Sequence, residues 1–474
     1  MTQELWQLSA TEVAGAVRGG RTSAVEVTQS VLSRITQVNP RINALVDVMA
    51  DEALTAASNA DRLQERGAAL GALHGVPVTI KVNVDTAGRA TTDGIVANRN
   101  NIAPTDSPLV KSLRDAGAII VGRSNTPAFS LRWFTDNDLH GRTLNPFDAA
   151  VTPGGSSGGA AAAVATGMGA IAHGNDYGGS IRYPAWACGV VGLRTTVGRI
   201  PSYKASSPQR SITNQMMSVQ GPLTRSVADA RLALQVMARG SALDPQWVNM
   251  PLELAPLENN SPKTHPLKVA VFKRHAAYDA DASVVAAIEQ AAAWLAKAGC
   301  DVEEVEPPHF EEGANLWNQM VMDDMRRSGQ PAIEAMADAG TQAALRGYLA
   351  SLAPGSRDQT LDHQMRRFSI LRDWAVFFEQ YPVLLMPNSW QRQFPIDADT
   401  LGDAAVQQLL AAQSPLLGTA MMGLPGLSVP TGMSADLPTG VQLVSWKFRE
   451  DLVLQAGELI EAAAGFSALD TLLH

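Results

Sequence analysis

Cysteine is nearly absent from the chain: Cys188 and Cys300 are two thiols in 474 residues, too few and too far apart for a disulfide framework or a cysteine metal cluster. Clustered basic residues are missing too. The 37 Lys and Arg are outnumbered by 46 Asp and Glu, for a net charge of −9, and no run of them tracks a phosphate backbone, so no nucleic-acid partner is expected. No apolar run reaches the roughly eighteen residues of a membrane span; the nearest candidate, residues 159–172, is short and mostly Ala and Gly. No membrane partner is expected. The opening MTQELWQLSATEVAG has no basic segment leading into an apolar one, so no secretory signal is expected, and with so few cysteines a reducing cytoplasm fits best. Nucleotide cradles are lacking as well. No lysine follows the glycines as G-x-x-x-x-G-K-[ST] requires, and no G-x-G-x-x-G opens a helix after a strand. No metal and no cofactor are expected.

What is present is a composition of 46% hydrophobic and 18% charged residues, the profile of a packed globular protein. Ser9-x-x-Glu12 and Ser23-x-x-Glu26 are capping boxes ahead of periodic apolar residues and predict two opening helices. Strand-like runs at 42–48, 76–82, 118–122 and 268–272 alternate with helical segments at 51–66, 106–116 and 282–298. A further strand follows residue 300. Strands return at 427–430 and 440–446, and the chain closes on a helix at 451–464. This is α/β patterning. Its one soft boundary is the Pro/Asn-rich segment 251–266. We read a single domain over 1–474, with a helical lid or pocket subregion at about 305–415. There Trp317, Met320, Met322, Met325, Trp374 and Phe377 read first as helix core and second as pocket wall.

One stretch stands apart. GGSSGGAAAAVATGMGAIAHGNDYGGS, residues 154–180, holds nine glycines and three serines. A linker would lack its small apolar middle, which suits a tightly packed helix. The match to G-x-S-x-G invites a nucleophile-elbow reading, but the lead-in NPFDAAVTP is no hydrophobic strand and ends in proline. Considered alone, Lys81 is a strand-end lysine reaching for solvent, and Ser156 and Ser157 are turn or helix-cap hydroxyls.

Three blocks change that reading: GVPVTIKVN (75–83), PGGSSGG (153–159) and NDYGGSIRYPA (175–185), with 75 residues from Lys81 to Ser156 and 24 from Ser156 to Ser180. In sequence and spacing they resemble the amidase signature family of Ser-cisSer-Lys amidohydrolases. Further similar blocks at 106–127, 141–146, 188–201, 221–230 and 423–444 extend the resemblance over most of the chain, least between about 240 and 415, with the signature core at about 65–240. The resemblance implies the amidase-signature fold, a large, mixed, mostly parallel central sheet covered by helices on both faces.

It also implies roles. Ser180 is the expected nucleophile, Ser156 a proton relay whose peptide bond is cis, and Lys81 the terminal base, a role its apolar surroundings favour by desolvation. The amides of Tyr177, Gly178, Gly179 and Ser180 are the expected oxyanion hole, formed where glycine permits a tight turn. Asp176 and Arg182 are expected to hold that turn as a buried ion pair, with Ser157 and Asn175 in support. The chain departs from the frequent G-T-D-T-G-G-S at Asn175 and Tyr177; Tyr177 either lines the acyl pocket or packs in the core. Arg194-Thr-Thr196 replaces a common Lys-Pro pair and is expected at a surface or pocket rim.

The expected reaction is cleavage of carboxamide C–N bonds through an acyl-enzyme, extending to carbamates (urethanes), hydrazides or esters. The substrate is a small apolar or aromatic molecule, and Trp133, Phe134, Met216, Met217, Trp317 and Met320 are candidate pocket residues. The protein is expected as a monomer or homodimer. Two alternatives stay open: the glutaminase-type subunit of a tRNA-dependent amidotransferase, and a catalytically inactive binding protein on the same scaffold.

Overall fold

The computed structural model describes residues 4–252 and 266–473. The interior of the expected boundary, residues 253–265, lies outside the described residues.

Both capping boxes form. Ser9 Oγ accepts from the Glu12 amide while Glu12 accepts from the Ser9 amide, and Ser23 and Glu26 repeat the exchange, so the helices Ala10–Arg18 and Ala24–Ile42 begin where the sequence indicates. The second helix runs on through Ile42 and stops at Asn43, which turns left-handed at φ 54°. The strand expected from residue 42 therefore starts at Leu45.

Eleven strands make one sheet. They are β1 (Leu45–Val48), β2 (Pro77–Lys81), β3 (Ile119–Ser124), β4 (Ile171–Asp176), β5 (Val191–Arg194), β6 (Val219–Thr224), β7 (Lys268–Val271), β8 (Asp301–Glu304), β9 (Val383–Met386), β10 (Gly426–Ser434) and β11 (Leu437–Val444), in the spatial order β1-β3-β2-β4-β6-β5-β10-β11-β9-β7-β8. The sheet is large and mixed as expected, but parallel pairing does not predominate. It is confined to β3-β2-β4 and β9-β7-β8, and the other neighbours pair antiparallel. Helix-connected strands favour parallel neighbours, whereas β10 and β11 are joined directly through Ala435 and Asp436, and a hairpin is antiparallel by construction.

Helices cover both faces. A Cβ on Gly457, in the helix Glu450–Ala464, would meet Leu427 and Val429 of β10, while one on Gly426 would meet Arg182 in the helix Arg182–Ala187. Adjacent strand residues 426 and 427 point to opposite faces, so the two helices lie on opposite sides. Residues 450–473 have the length and hydropathy of a membrane span. Their apolar side chains Leu452, Val453, Leu454 and Ile460 are buried in the core, and Gly465 at φ 57° ends the first helix.

The segment 305–415 supplies the helices Phe310–Ser328, Ala339–Ala350, Arg357–Gln380 and Asp403–Ala412. It also supplies β9, which lies between β11 and β7. The expected lid is thus tied into the sheet by a strand of its own.

Candidate active site

Strands β2 and β4 are parallel neighbours, so their C-terminal ends share one edge of the sheet. Lys81 closes β2 and Asp176 closes β4; residues 177–180 follow in a turn, and the helix Arg182–Ala187 begins after it. The helix Gly158–Ala165 lies buried along its whole length and packs against β2 and β4. Only Gly and Ala, with one Val, fit such a position. This helix presents Ser156 and Ser157 from its leading end, and the Gly155–Ser156 peptide bond is cis.

Lys81 is fully buried. Its Nζ donates to Ser156 Oγ at 2.7 Å, Asn175 Oδ1 at 2.8 Å and Ser157 Oγ at 3.1 Å. Three contacts match the three N–H groups of an ammonium. A neutral amine keeps two N–H groups and a lone pair, which can accept the Ser156 O–H instead. Burial pushes the Lys81 ammonium down to about 7, against the opposing pull of Asp93 and Asp176 and with help from Lys204. The polar chain continues outward: Asn175 donates to Asn83 at 3.0 Å, Asn83 to Ser130 at 2.8 Å, and Ser130 to the Asp93 carboxylate at 2.6 Å. Asn83, Ser130 and Asp93 were not candidates from the sequence, where only the block K-V-N pointed near them. Ser180 joins the same place: the Ser157 amide donates to its carbonyl at 3.2 Å, and its side chain lines a cavity together with Ser156, Asn175 and Tyr177.

Asp176 and Arg182 are fully buried and pair at 3.0 Å through two nitrogens. The pair has a third member. Arg194, expected at a surface or pocket rim, is instead fully buried and donates to Asp176 Oδ1 at 2.9 Å. Burial alone would raise the Asp176 carboxyl, but the two guanidiniums and backbone donors overcome it and hold it well below the usual carboxylate range. The same carboxylate accepts from the Ile181 amide at 3.2 Å and the Gly179 amide at 2.8 Å. This corrects the expected oxyanion hole: the Gly179 N–H is already occupied, and Gly179, at φ 104°, serves the turn itself. Among the described residues the Gly178 and Ser180 amides have no protein acceptor.

Two cavities meet at Ser180. One, of about 170 Å³, is lined by polar groups including Asn83, Asp93, Ser130, Lys204 and Arg210. The other, of about 220 Å³, is lined by Trp133, Trp317, Val321, Met322, Met325, Tyr348 and Leu410. Tyr177 lines both cavities and also packs against the core; its ring meets Trp317 edge-on at 5.8 Å, and its hydroxyl bonds Thr213. The indole nitrogens of Trp133 and Trp317 donate to the carbonyls of Gly178 and Tyr177, each at 3.0 Å, so the pocket wall also pins the turn. Of the other candidates, Phe134 stacks on Phe394 at 6.3 Å in the core. Met217 and Met320 are buried in the core, and Met216 packs against that core without lining either cavity. Residue type suggested these four, but they pack in or against the core and line neither cavity.

The chain is 42% identical to an indoleacetamide hydrolase of Bradyrhizobium diazoefficiens, covering 98% of this chain and 88% of the relative. It is 32% identical to a glutamyl-tRNA(Gln) amidotransferase subunit of Moorella thermoacetica, with 98% of each covered. In fold it resembles a bacterial aryl acylamidase belonging to the amidase signature enzymes, with a TM-score of 0.83, 26% identity and 98% of each chain covered. Fold, site and relatives together define a hydrolase of amide C–N bonds. The family model described as Amidase matches residues 26–454, and the chain belongs to this amidase signature family.

Proposed function

We propose that the protein hydrolyses carboxamides of small aryl-acetic or otherwise apolar acids through an acyl-enzyme on Ser180. The observation that carries this reading is the 2.7 Å contact between a buried Lys81 and Ser156, beside a cavity that Ser156 and Ser180 line together. Ser180 Oγ attacks the carbonyl carbon as its proton passes to Ser156, and the Ser156 proton passes to neutral Lys81. The amides of Gly178 and Ser180, with that of Tyr177, receive the developing oxyanion. The proton returns along the relay to the nitrogen as the C–N bond breaks, and water then releases the acid by the same route in reverse. Carbamates, hydrazides and esters fit the same acyl transfer.

The apolar cavity supports an aromatic acyl group, because Trp133, Trp317 and Tyr348 offer it ring faces and edges. The 42% identical relative bears the name indoleacetamide hydrolase, and indole-3-acetamide is the substrate to try first. Such a chain acts on free small molecules in the cytoplasm as a monomer or homodimer, with no nucleic acid or membrane. Purified protein should release ammonia and the free acid from indole-3-acetamide faster than from an aliphatic primary amide, and glutamine should be the poorest of the three. Preferred turnover of glutamine would favour the amidotransferase reading instead. Failure of a fluorophosphonate to label Ser180 would favour the inactive scaffold.

A further inference from the structure

The polar cavity that Ser156 and Ser180 line is larger than the leaving group of a primary amide requires. Ammonia is about the size of water, for which roughly 10–15 Å³ suffices, yet this chamber holds about 170 Å³. Its wall carries two half-buried cations, Lys204 and Arg210. Among the described residues no carboxylate lies within 4 Å of either. Arg210 instead donates to neutral acceptors, the Asn214 side chain and the Asn214 carbonyl, each at 2.9 Å. The one carboxylate in the wall, Asp93, accepts from Ser130 at 2.6 Å; burial raises its carboxyl, and Lys204 opposes that rise from beyond salt-bridge distance. The chamber thus presents two cations without a salt-bridge partner, Asp93 and Asp244 acting on Lys204 and Arg210 only from beyond 4 Å, and like the apolar cavity it opens on Ser180. With an acyl group placed among Trp133, Trp317 and Tyr348 and its carbonyl at Ser180, which lines both cavities, the nitrogen substituent would have this chamber to occupy.

Resting on the reading of Ser180 as nucleophile, we infer that the protein also cleaves N-acyl amino acids, with the carboxylate of the leaving amino acid held by Lys204 and Arg210. The Ser180 Oγ–carbon bond forms as the C–N bond breaks, and the nitrogen takes the proton carried by the relay and leaves as a free amino acid. Water then splits the ester to give the aryl-acetic acid and restores Ser180. No other co-reactant is required. Lys204 and Arg210 gain charge-assisted hydrogen bonds that an uncharged amine cannot supply.

The test compares N-(indole-3-acetyl)glycine with N-propyl-indole-3-acetamide, close in length but lacking the charge, on the full chain. The glycine conjugate should show kcat/KM higher by about tenfold, the scale of one charge-assisted contact. Lys204→Met should reduce that ratio most of the way to unity, and Lys204→Arg should keep it. Arg210→Gln provides a second variant should Lys204→Met fold poorly. An equal or better rate with the propylamide, or a ratio that neither Lys204→Met nor Arg210→Gln moves, overturns the inference. Turnover of indole-3-acetamide with no cleavage of the conjugate also overturns it while leaving the primary-amide reading intact. Cleavage of the conjugate without turnover of indole-3-acetamide does the opposite.

Discussion

Arg194, at the end of β5, donates from one nitrogen to both the main-chain carbonyl and the carboxylate of Asp176, at 2.7 and 2.9 Å. It thereby fastens the last residue of β4 to a strand that is not its neighbour, across β6. Removing Arg194 leaves Asp176 paired with Arg182 but takes away the donor to the buried carbonyls of Asp176, Met217 and Leu424, and a buried acceptor left without its partner costs about 1–3 kcal/mol. Arg194→Leu should therefore lower stability by at least about that amount and reduce activity by loosening the Gly179 turn. Urea denaturation checks it, and an unchanged midpoint would show that Arg182 alone holds Asp176.

Ser180→Ala should abolish turnover and fluorophosphonate labelling. Lys81→Ala should come close to it, and Ser156→Ala should lose about 10²–10⁴-fold, the contribution of positioned proton transfer, while keeping the fold. Steady-state kinetics with circular dichroism separates these outcomes. Near-normal rates in Lys81→Ala at neutral pH would end the relay mechanism.

In the proposed relay the acid limb of the pH profile is set by Lys81. Only its neutral form accepts a proton, and burial brings it down to about 7, so kcat/KM should rise from pH 5 through 7 and level off above. Asp93 favours the charged form and Lys204 disfavours it. Asp93→Asn should therefore move the limb toward acid and Lys204→Met toward alkali, as read from pH–rate curves on indole-3-acetamide. Shifts of the opposite sign would assign the limb to another group.

A Cβ on Gly178 would lie 2.6 Å from the Trp317 ring. Gly178→Ala should push that indole into the apolar cavity, raising KM for aryl-acetamides more than for acetamide. Pairing it with Trp317→Leu should recover part of the loss, because the smaller side chain clears the clash. Michaelis–Menten analysis of both substrates on the single and double variants decides this.

The proposed reacting groups are an amine and two hydroxyls, so prolonged dialysis against EDTA should leave turnover unchanged. A loss restored by a divalent cation would show that some step needs more than these three side chains.

Much of the fold was legible because its signals are local. Ser9, Ser23 and their glutamates mark helix starts within four residues, and the β-branched run ending at Lys81 declares β2. Strand order is not local, and the expectation of mostly parallel pairing failed in the middle of the sheet. The same divide runs through the site. Lys81, Ser156 and Ser180, the proposed reacting groups, were picked out because each sits in a block that resembles the family's at a similar interval. Arg194 was not, since nothing near it in sequence shows that β5 turns it inward to Asp176. Tyr348 and Leu410 reach the apolar cavity from distant helices, whereas Phe134 and Met217 had the right chemistry but pack in the core.

The alanine helix at 158–165 sets where this enzyme can be redesigned. Its side chains are buried all round, so any larger residue there displaces its neighbours before it reaches a substrate. The route to new specificity runs from the opposite bank, through Trp317, Met322 and Met325 on the helix Phe310–Ser328, where size can change while the serines stay where they are.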